Sequence, residues 1–260
     1  MLNKNKKTIE SVYSKDKKVF NEKYLWWHYT FERVAILIAS YLLPYRISAN
    51  FVSVISLIFG LLGCLLIAID PQGSFLLGII FVIIWQILDD VDGHIARAKE
   101  STLLGKYLDD CGANIMYAFF FMALGLIFIS SEDNGTKLLN DILGNQLLSS
   151  FIFTLLGFSS ALFLSLQAII SFHHKVLSDG AHKKYKKSLS HKNNKNFTNI
   201  IINSYKYLVS NFLEFPGFLV PLVFISYIAG YLSILLFFVA IFNFINLLIK
   251  YFTVAISLGK

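Results

Sequence analysis

An all-α membrane protein, with six transmembrane helices preceded by an amphipathic helix at the membrane surface, is the fold class the sequence predicts. Three observations point to it. The 260-residue chain is 56% hydrophobic and 16% aromatic, with a mean hydropathy of +0.62, too apolar for a soluble domain. Its apolar runs are long enough to cross a bilayer as helices, and an unpaired sheet edge has no place in lipid. Its lysines and arginines gather on one side of those runs.

Residues 24–45, with Trp26, Trp27, Tyr29, Phe31, Tyr41 and Tyr45, form the interfacial helix, whose plain role is anchoring. Six spans follow, at 51–69, 75–88 with a polar cytosolic extension, 115–129 with a polar start, 148–170, 215–231 and 232–249. Asp70-Pro71-Gln72-Gly73 is the turn between the first two. The chain thus divides into a cytosolic N-terminal segment, 1–47, and a six-helix membrane domain, 48–260. Charged and aromatic sequence precedes the first span in place of a signal peptide, so that span is expected to direct insertion. Residues 178–199, rich in lysine, serine, asparagine and histidine, are expected to form a mobile cytosolic loop.

Residues 1–33 hold eight basic side chains, 175–206 hold eight more, and Arg97, Lys99 and Lys106 lie between the second and third spans. Of the chain's 23 lysines and arginines, only Lys137 falls in the opposite loops, beside Glu132, Asp133 and Asp141. Both termini are therefore expected in the cytosol, a placement that follows from the charge bias, and the expected membrane is the cell membrane. The net charge of +7 sits beside spans, where anionic lipid headgroups are nearer partners than nucleic acid. Cys64 and Cys111 have neither CxxC nor metal-ligand spacing and say nothing about disulfides.

Five aspartates fall between positions 89 and 110. On a helix Asp89, Asp92 and Ala96 share a face, as do Gly105 and Asp109 on the next. Two antiparallel helices can bring Asp89, Asp92 and Asp109 together, which suits a hard divalent cation such as Mg2+. Such a cation also compensates carboxylates that would otherwise repel one another near the membrane. Gly93 leaves room for close approach of a ligand, Ala96 keeps the face shallow, and Arg97 offers a planar guanidinium to phosphate oxygens or a neighbouring aspartate. Asp90, Glu100 and Asp110 read equally well as solvated. His94 reads as an ordinary polar residue at the membrane edge, while His173 and His174, followed by Lys175, are weak choices for binding an acceptor phosphate or moving a proton.

Asp89-x-x-Asp92-Gly93-x-x-Ala96-Arg97, seven residues, then Gly105-x-x-x-Asp109 resembles the signature of the CDP-alcohol phosphotransferases, a family that also has six spans. Ser48-Ala49-Asn50-Phe51-Val52-Ser53 loosely resembles that family's Pro-Asn-x-x-Thr element. The resemblance implies that an acceptor hydroxyl attacks the β-phosphorus of a CDP-alcohol, releasing CMP in phospholipid or related headgroup synthesis. It implies two ions of Mg2+ or Mn2+, with Asp89, Asp92 and Asp109 as ligands, and Gly93, Ala96, Arg97 and Gly105 shaping the CDP pocket. It also implies a homodimer, with the active site facing the cytosol.

The family's signature ends in a further aspartate that completes the second metal site and takes the acceptor's proton, and Ala113 stands there. The second site is therefore expected to be weakened. Three readings compete: an active branch with another base, Asp110 or a histidine from the end of the fourth span; a variant silenced by exchange of aspartate for alanine; and a natural relative that binds a CDP-alcohol or lipid without turnover. Asp110 is rotated about 100° from Asp109. Gly112 and Ala113 together can also admit a neighbouring helix, or widen the site for a bulkier acceptor. A cation transporter is the rival from another class, disfavoured because Asp89 and Asp92 lie at the cytosolic end of a span and not at the midplane. Donor and acceptor stay open.

Overall fold

The computed structural model describes residues 8–9, 25–45, 47–69, 73–99, 102–182 and 217–258. Nine helices of six residues or more follow one another among these residues. The two short ones at the start are α1 (Leu25–Thr30) and α2 (Glu32–Leu42), the latter running into a 3-10 turn at Leu43–Tyr45. Then come α3 (Ala49–Ile69), α4 (Phe75–Lys99), α5 (Leu103–Ser130), α6 (Asn134–Leu143) and α7 (Gln146–His182). The last two are α8 (Leu219–Ile228) and α9 (Leu232–Leu258).

Among the described residues, four helices are long and apolar enough to cross a membrane: α3, α5, the Gln146–His174 stretch of α7 and the Leu232–Ile256 stretch of α9. This makes the chain an integral membrane protein. The second and fifth expected spans differ from the other four. The apolar run 75–88 of α4 extends about 21 Å at 1.5 Å per residue, short of a hydrocarbon core of roughly 30 Å, and α4 reaches full length only by including its aspartates. Helix α8 has ten residues, and positions 215–216 lie outside the described residues. Helix α7 also outruns expectation: 178–182, assigned above to a loop, are helical, whereas 183–199 lie outside the described residues, as does most of the 70–73 turn.

The main core is built where α3, α4, α5, α7, α8 and α9 meet, around Ile67, Phe75, Trp85, Met116, Phe120, Leu124, Phe128, Leu219 and Leu236. Two close helix contacts set its dimensions. A Cβ on Gly63 would stand 2.8 Å from the Gly78 carbonyl oxygen, and one on Gly78 would stand 2.8 Å from that of Gly63, so α3 and α4 touch backbone to backbone. Helices α5 and α7 do the same: a Cβ on Gly157 would lie 2.6 Å from both the Phe121 carbonyl oxygen and the Gly125 Cα. In lipid, where apolar burial gives helices little reason to associate, close packing of this kind supplies much of the attraction.

A second, smaller core joins the N-terminal helices to the site. Ala35 and Ala39 of α2 pack with Val52 of α3 and with Val91 and Ile95 of α4. The single interfacial helix expected over 24–45 is thus two helices and a turn, docked on the aspartate-bearing end of α4. Tyr29, Tyr41 and Tyr45 remain exposed.

Because the atoms facing Gly157 are backbone, a methyl group there cannot be accommodated by a rotamer change. Gly157→Ala should destabilise the protein by about 2 kcal/mol. Gly112→Ala, where an added Cβ meets nothing within 4 Å, should be neutral or stabilise by up to about 1 kcal/mol through helix propensity. Thermal melts of the two variants in detergent check the contrast.

Candidate functional site

Three helix ends converge on the aspartates. Helix α4 carries Asp89, Asp90 and Asp92 in its last turns, and α3 and α5 contribute their N-terminal turns. Asp92 is buried, and one of its oxygens, Oδ2, is inaccessible and receives no hydrogen bond. Ser53 of α3 faces its carboxyl group, and Asp109, Asp90 and Arg97 are the charged groups close enough to act on it. Asp109 of α5 is thus within electrostatic reach of Asp92. Asp89 is half-buried and Asp109 is exposed. Among the described residues, however, no three His, Cys, Asp or Glu side chains are gathered closely enough to hold a metal ion by themselves.

The loosely matched segment before the first span belongs to the same place. Asn50 Oδ1 lies where a Cβ on Gly105 would meet it at 2.9 Å, so Gly105 is what lets α3 and α5 start side by side. Thr102 finishes this corner as the N-cap of α5, its hydroxyl accepting from the Gly105 N–H at 2.9 Å. Over Gly93, the space of a side chain is occupied by the Arg97 guanidinium, whose Nη1 lies 3.2 Å from an ideal Cβ. Arg97 Nη2 is also 3.2 Å from Nδ1 of His94. His94 is fully buried.

Other expectations fare differently. Asp90 is not simply solvated: the Trp27 indole N–H, 63 residues away in sequence, donates to its Oδ2. Nothing in local spacing could have revealed that pair. Asp110 is exposed on α5, and its backbone carbonyl accepts from the Asn114 side chain at 2.7 Å. Gly112 receives no neighbouring helix within the described residues, so the close approach expected at Gly112 and Ala113 is absent there. His173 is exposed and engages the Ile169 carbonyl of its own helix through Nδ1 at 3.0 Å.

An apolar cleft of about 320 Å³ opens beside the site. Trp26 and Phe31 line it together with Leu76, Ile79, Ile80 and Ile83 of α4 and Val220, Phe224 and Ile225 of α8. Gln86 ends the α4 wall, one helical turn before Asp89 and Asp90. Sequence reasoning missed this cleft because its walls come from segments far apart in the chain.

The order Asp89, Asp92, Gly93, Ala96, Arg97, Gly105, Asp109 is thus carried on two helices that both pack on α3, the first of them holding a buried carboxylate and lining an apolar cleft. The chain belongs to the CDP-alcohol phosphatidyltransferase family, whose sequence model matches residues 46–192. Membership points to a membrane transferase that moves a phospho-alcohol group in lipid synthesis, with a CDP-alcohol as donor and a hydroxyl compound as acceptor. The family is generally dependent on divalent metal. No curated protein sequence matches the chain.

A buried carboxylate with one oxygen lacking a partner is destabilising until something satisfies it. In metal-free buffer, Asp92→Asn should therefore raise the melting temperature, by an amount corresponding to about 1–3 kcal/mol. A clear fall would mean that the carboxylate is already fully satisfied within the fold.

Proposed function

We propose that the protein transfers a phospho-alcohol group from a CDP-alcohol to a hydroxyl acceptor and releases CMP, using Mg2+ or Mn2+ held by Asp89, Asp92 and Asp109. The observation that carries this reading is the buried Asp92 oxygen without a hydrogen bond. Hard oxygen donors suit these cations, which commonly take one or two carboxylates from the protein and further ligands from substrate phosphates. That habit accounts for aspartates that are neighbours without forming a closed cage. When bound, the cation would stabilise charge on the attacked phosphorus and on the departing CMP.

The chain's own residues divide the remaining work. Arg97 presents planar donors to a phosphate group, and Gly93 leaves the volume in which its guanidinium moves. Gly105 and Ala96 keep the CDP pocket shallow. Ala113 supplies neither a ligand nor a base, so a second ion is held weakly and the acceptor's proton passes to another group, Asp110 being the candidate on the same helix. Ala113 also favours a second reading, a relative that binds a CDP-alcohol or lipid without turning it over.

The apolar cleft favours a lipid as one of the two substrates. An acyl chain lying between α4 and α8 would bring its headgroup past Gln86 to Asp89 and Asp90. With α4 and α8 counted as crossings, six spans place both termini and the site on the cytosolic side, where basic residues meet anionic headgroups. The working unit of this reading is a homodimer in the cell membrane.

The test is phosphodiester formation by purified protein in lipid, from labelled CDP-diacylglycerol and a panel of alcohols, and from CDP-choline and CDP-ethanolamine with lipid acceptors. Ile80→Trp, which fills the cleft, should raise KM for the acylated substrate roughly tenfold, about 1.4 kcal/mol, and leave KM for the water-soluble substrate unchanged. Turnover confined to water-soluble pairs and indifferent to Ile80→Trp would refute the lipid assignment.

A further inference from the structure

The segment between α5 and α7 was expected to be a loop, yet it contains α6, a helix secured at both ends. Asp133 caps it: Oδ1 accepts from the N–H groups of Gly135 and Thr136 at 3.1 and 2.9 Å, and the Thr136 hydroxyl accepts from the Asp133 N–H at 2.8 Å. The same carboxylate reaches α9, taking the Ser233 N–H on Oδ2 at 2.8 Å and the Ser233 hydroxyl on Oδ1 at 2.6 Å. At the other end Gly144 adopts φ 65°, and its N–H closes on the Asn140 carbonyl at 2.7 Å. A helix held this firmly keeps each of its faces in a constant direction.

Those faces differ. With about 100° between successive residues, Gly135 and Thr136 turn inward and are buried, and Leu139 packs against the main core. Lys137 and Asp141 form an exposed polar face. Between the two, on the flank that continues the buried face, stand Leu138 and Ile142, which are 58% and 72% exposed. Among the described residues, none covers them to any large extent. Three residues join α6 to α5 and two join it to α7, so the helix stays within about 10 Å of the ends of both spans. The adjoining ends are themselves apolar and exposed, at Ile129 of α5 and at Leu147 and Leu148 of α7.

We propose that α6 is a membrane-surface helix whose Leu138 and Ile142 insert among the lipid acyl chains of the leaflet at the end of the bundle opposite the aspartates. The occupant of this flank is lipid because the flank continues the lipid-facing surface of the spans that α6 connects, while its charged neighbours point the other way, as in helices that lie in the plane of an interface. Through the Asp133 clamp on α9 and the short joints to α5 and α7, this anchor fixes the depth of three spans at once.

The test uses the full chain with Cys64 and Cys111 replaced by alanine, carrying a single cysteine at Leu138→Cys, Ile142→Cys, Lys137→Cys or Asp141→Cys. Each is labelled with an environment-sensitive fluorophore and reconstituted in phosphatidylcholine vesicles that contain a lipid spin-labelled high on its acyl chain. Quenching should be severalfold stronger at 138 and 142 than at 137 and 141, with blue-shifted emission at the first pair. Equal quenching at all four positions would overturn the proposal. So would disulfide crosslinking of two copies through 142 in place of quenching, since a second copy of the chain would then cover the flank.

Discussion

A carboxylate kept out of water at the edge of a helix bundle is the constraint around which this protein is arranged. Asp92 is placed by the continuation of α4 beyond its apolar run, Ser53 of α3 faces its carboxyl group, and Asp109 of α5 is near enough to act on its charge. Burial of an acid is unfavourable unless its oxygens find donors or a cation. Here one oxygen finds no donor, so the fold holds in place a group whose most favourable state requires something from outside. The N-terminal helices make that burial possible: Ala35 and Ala39 pack over Val91 and Ile95, the residues on either side of Asp92 and His94. Trp27 meanwhile engages Asp90, giving the next carboxylate along the helix a separate partner.

The rest of the bundle supplies rigidity. Glycine contacts between α3 and α4, and between α5 and α7, bring backbones together with no side chain between them. Helix α3 also packs on α5 through the Asn50 and Gly105 corner, so the three helix ends at the site are held by contacts spaced along the whole length of the spans. A site of this kind depends little on loops. At the opposite end the Asp133 clamp ties α6 to α9, which leaves the two ends of the molecule defined by different chemistry: carboxylates and an arginine at one, a doubly used N-cap at the other.

Much of this was legible in the sequence because the relevant signals are local. Asp89, Asp92 and Ala96 share a face by helical periodicity alone, and the long apolar runs of α3, α5, α7 and α9 declare themselves by length. The signals that failed were of other kinds. Trp27 and Asp90 are distant in sequence, and the cleft is walled by α4 and α8, so neither leaves a local pattern. Helix α6 is short and its polar residues resemble a loop, although Asp133 followed by Thr136 is a capping pattern that could have flagged its start. The polar cytosolic extension expected of the second span is the aspartate-bearing end of α4, which continues the apolar run 75–88 as one helix to Lys99.

The account turns on whether this arrangement works without a carboxylate at position 113. The most direct measurement is CMP release from CDP-diacylglycerol by the purified chain with Mg2+ or Mn2+, alongside Ala113→Asp and Asp92→Asn. The account predicts release by the chain as it stands, faster release by Ala113→Asp, and none by Asp92→Asn. Release by Ala113→Asp alone would contradict it, and would identify the protein as a binding-competent relative silenced at that one position.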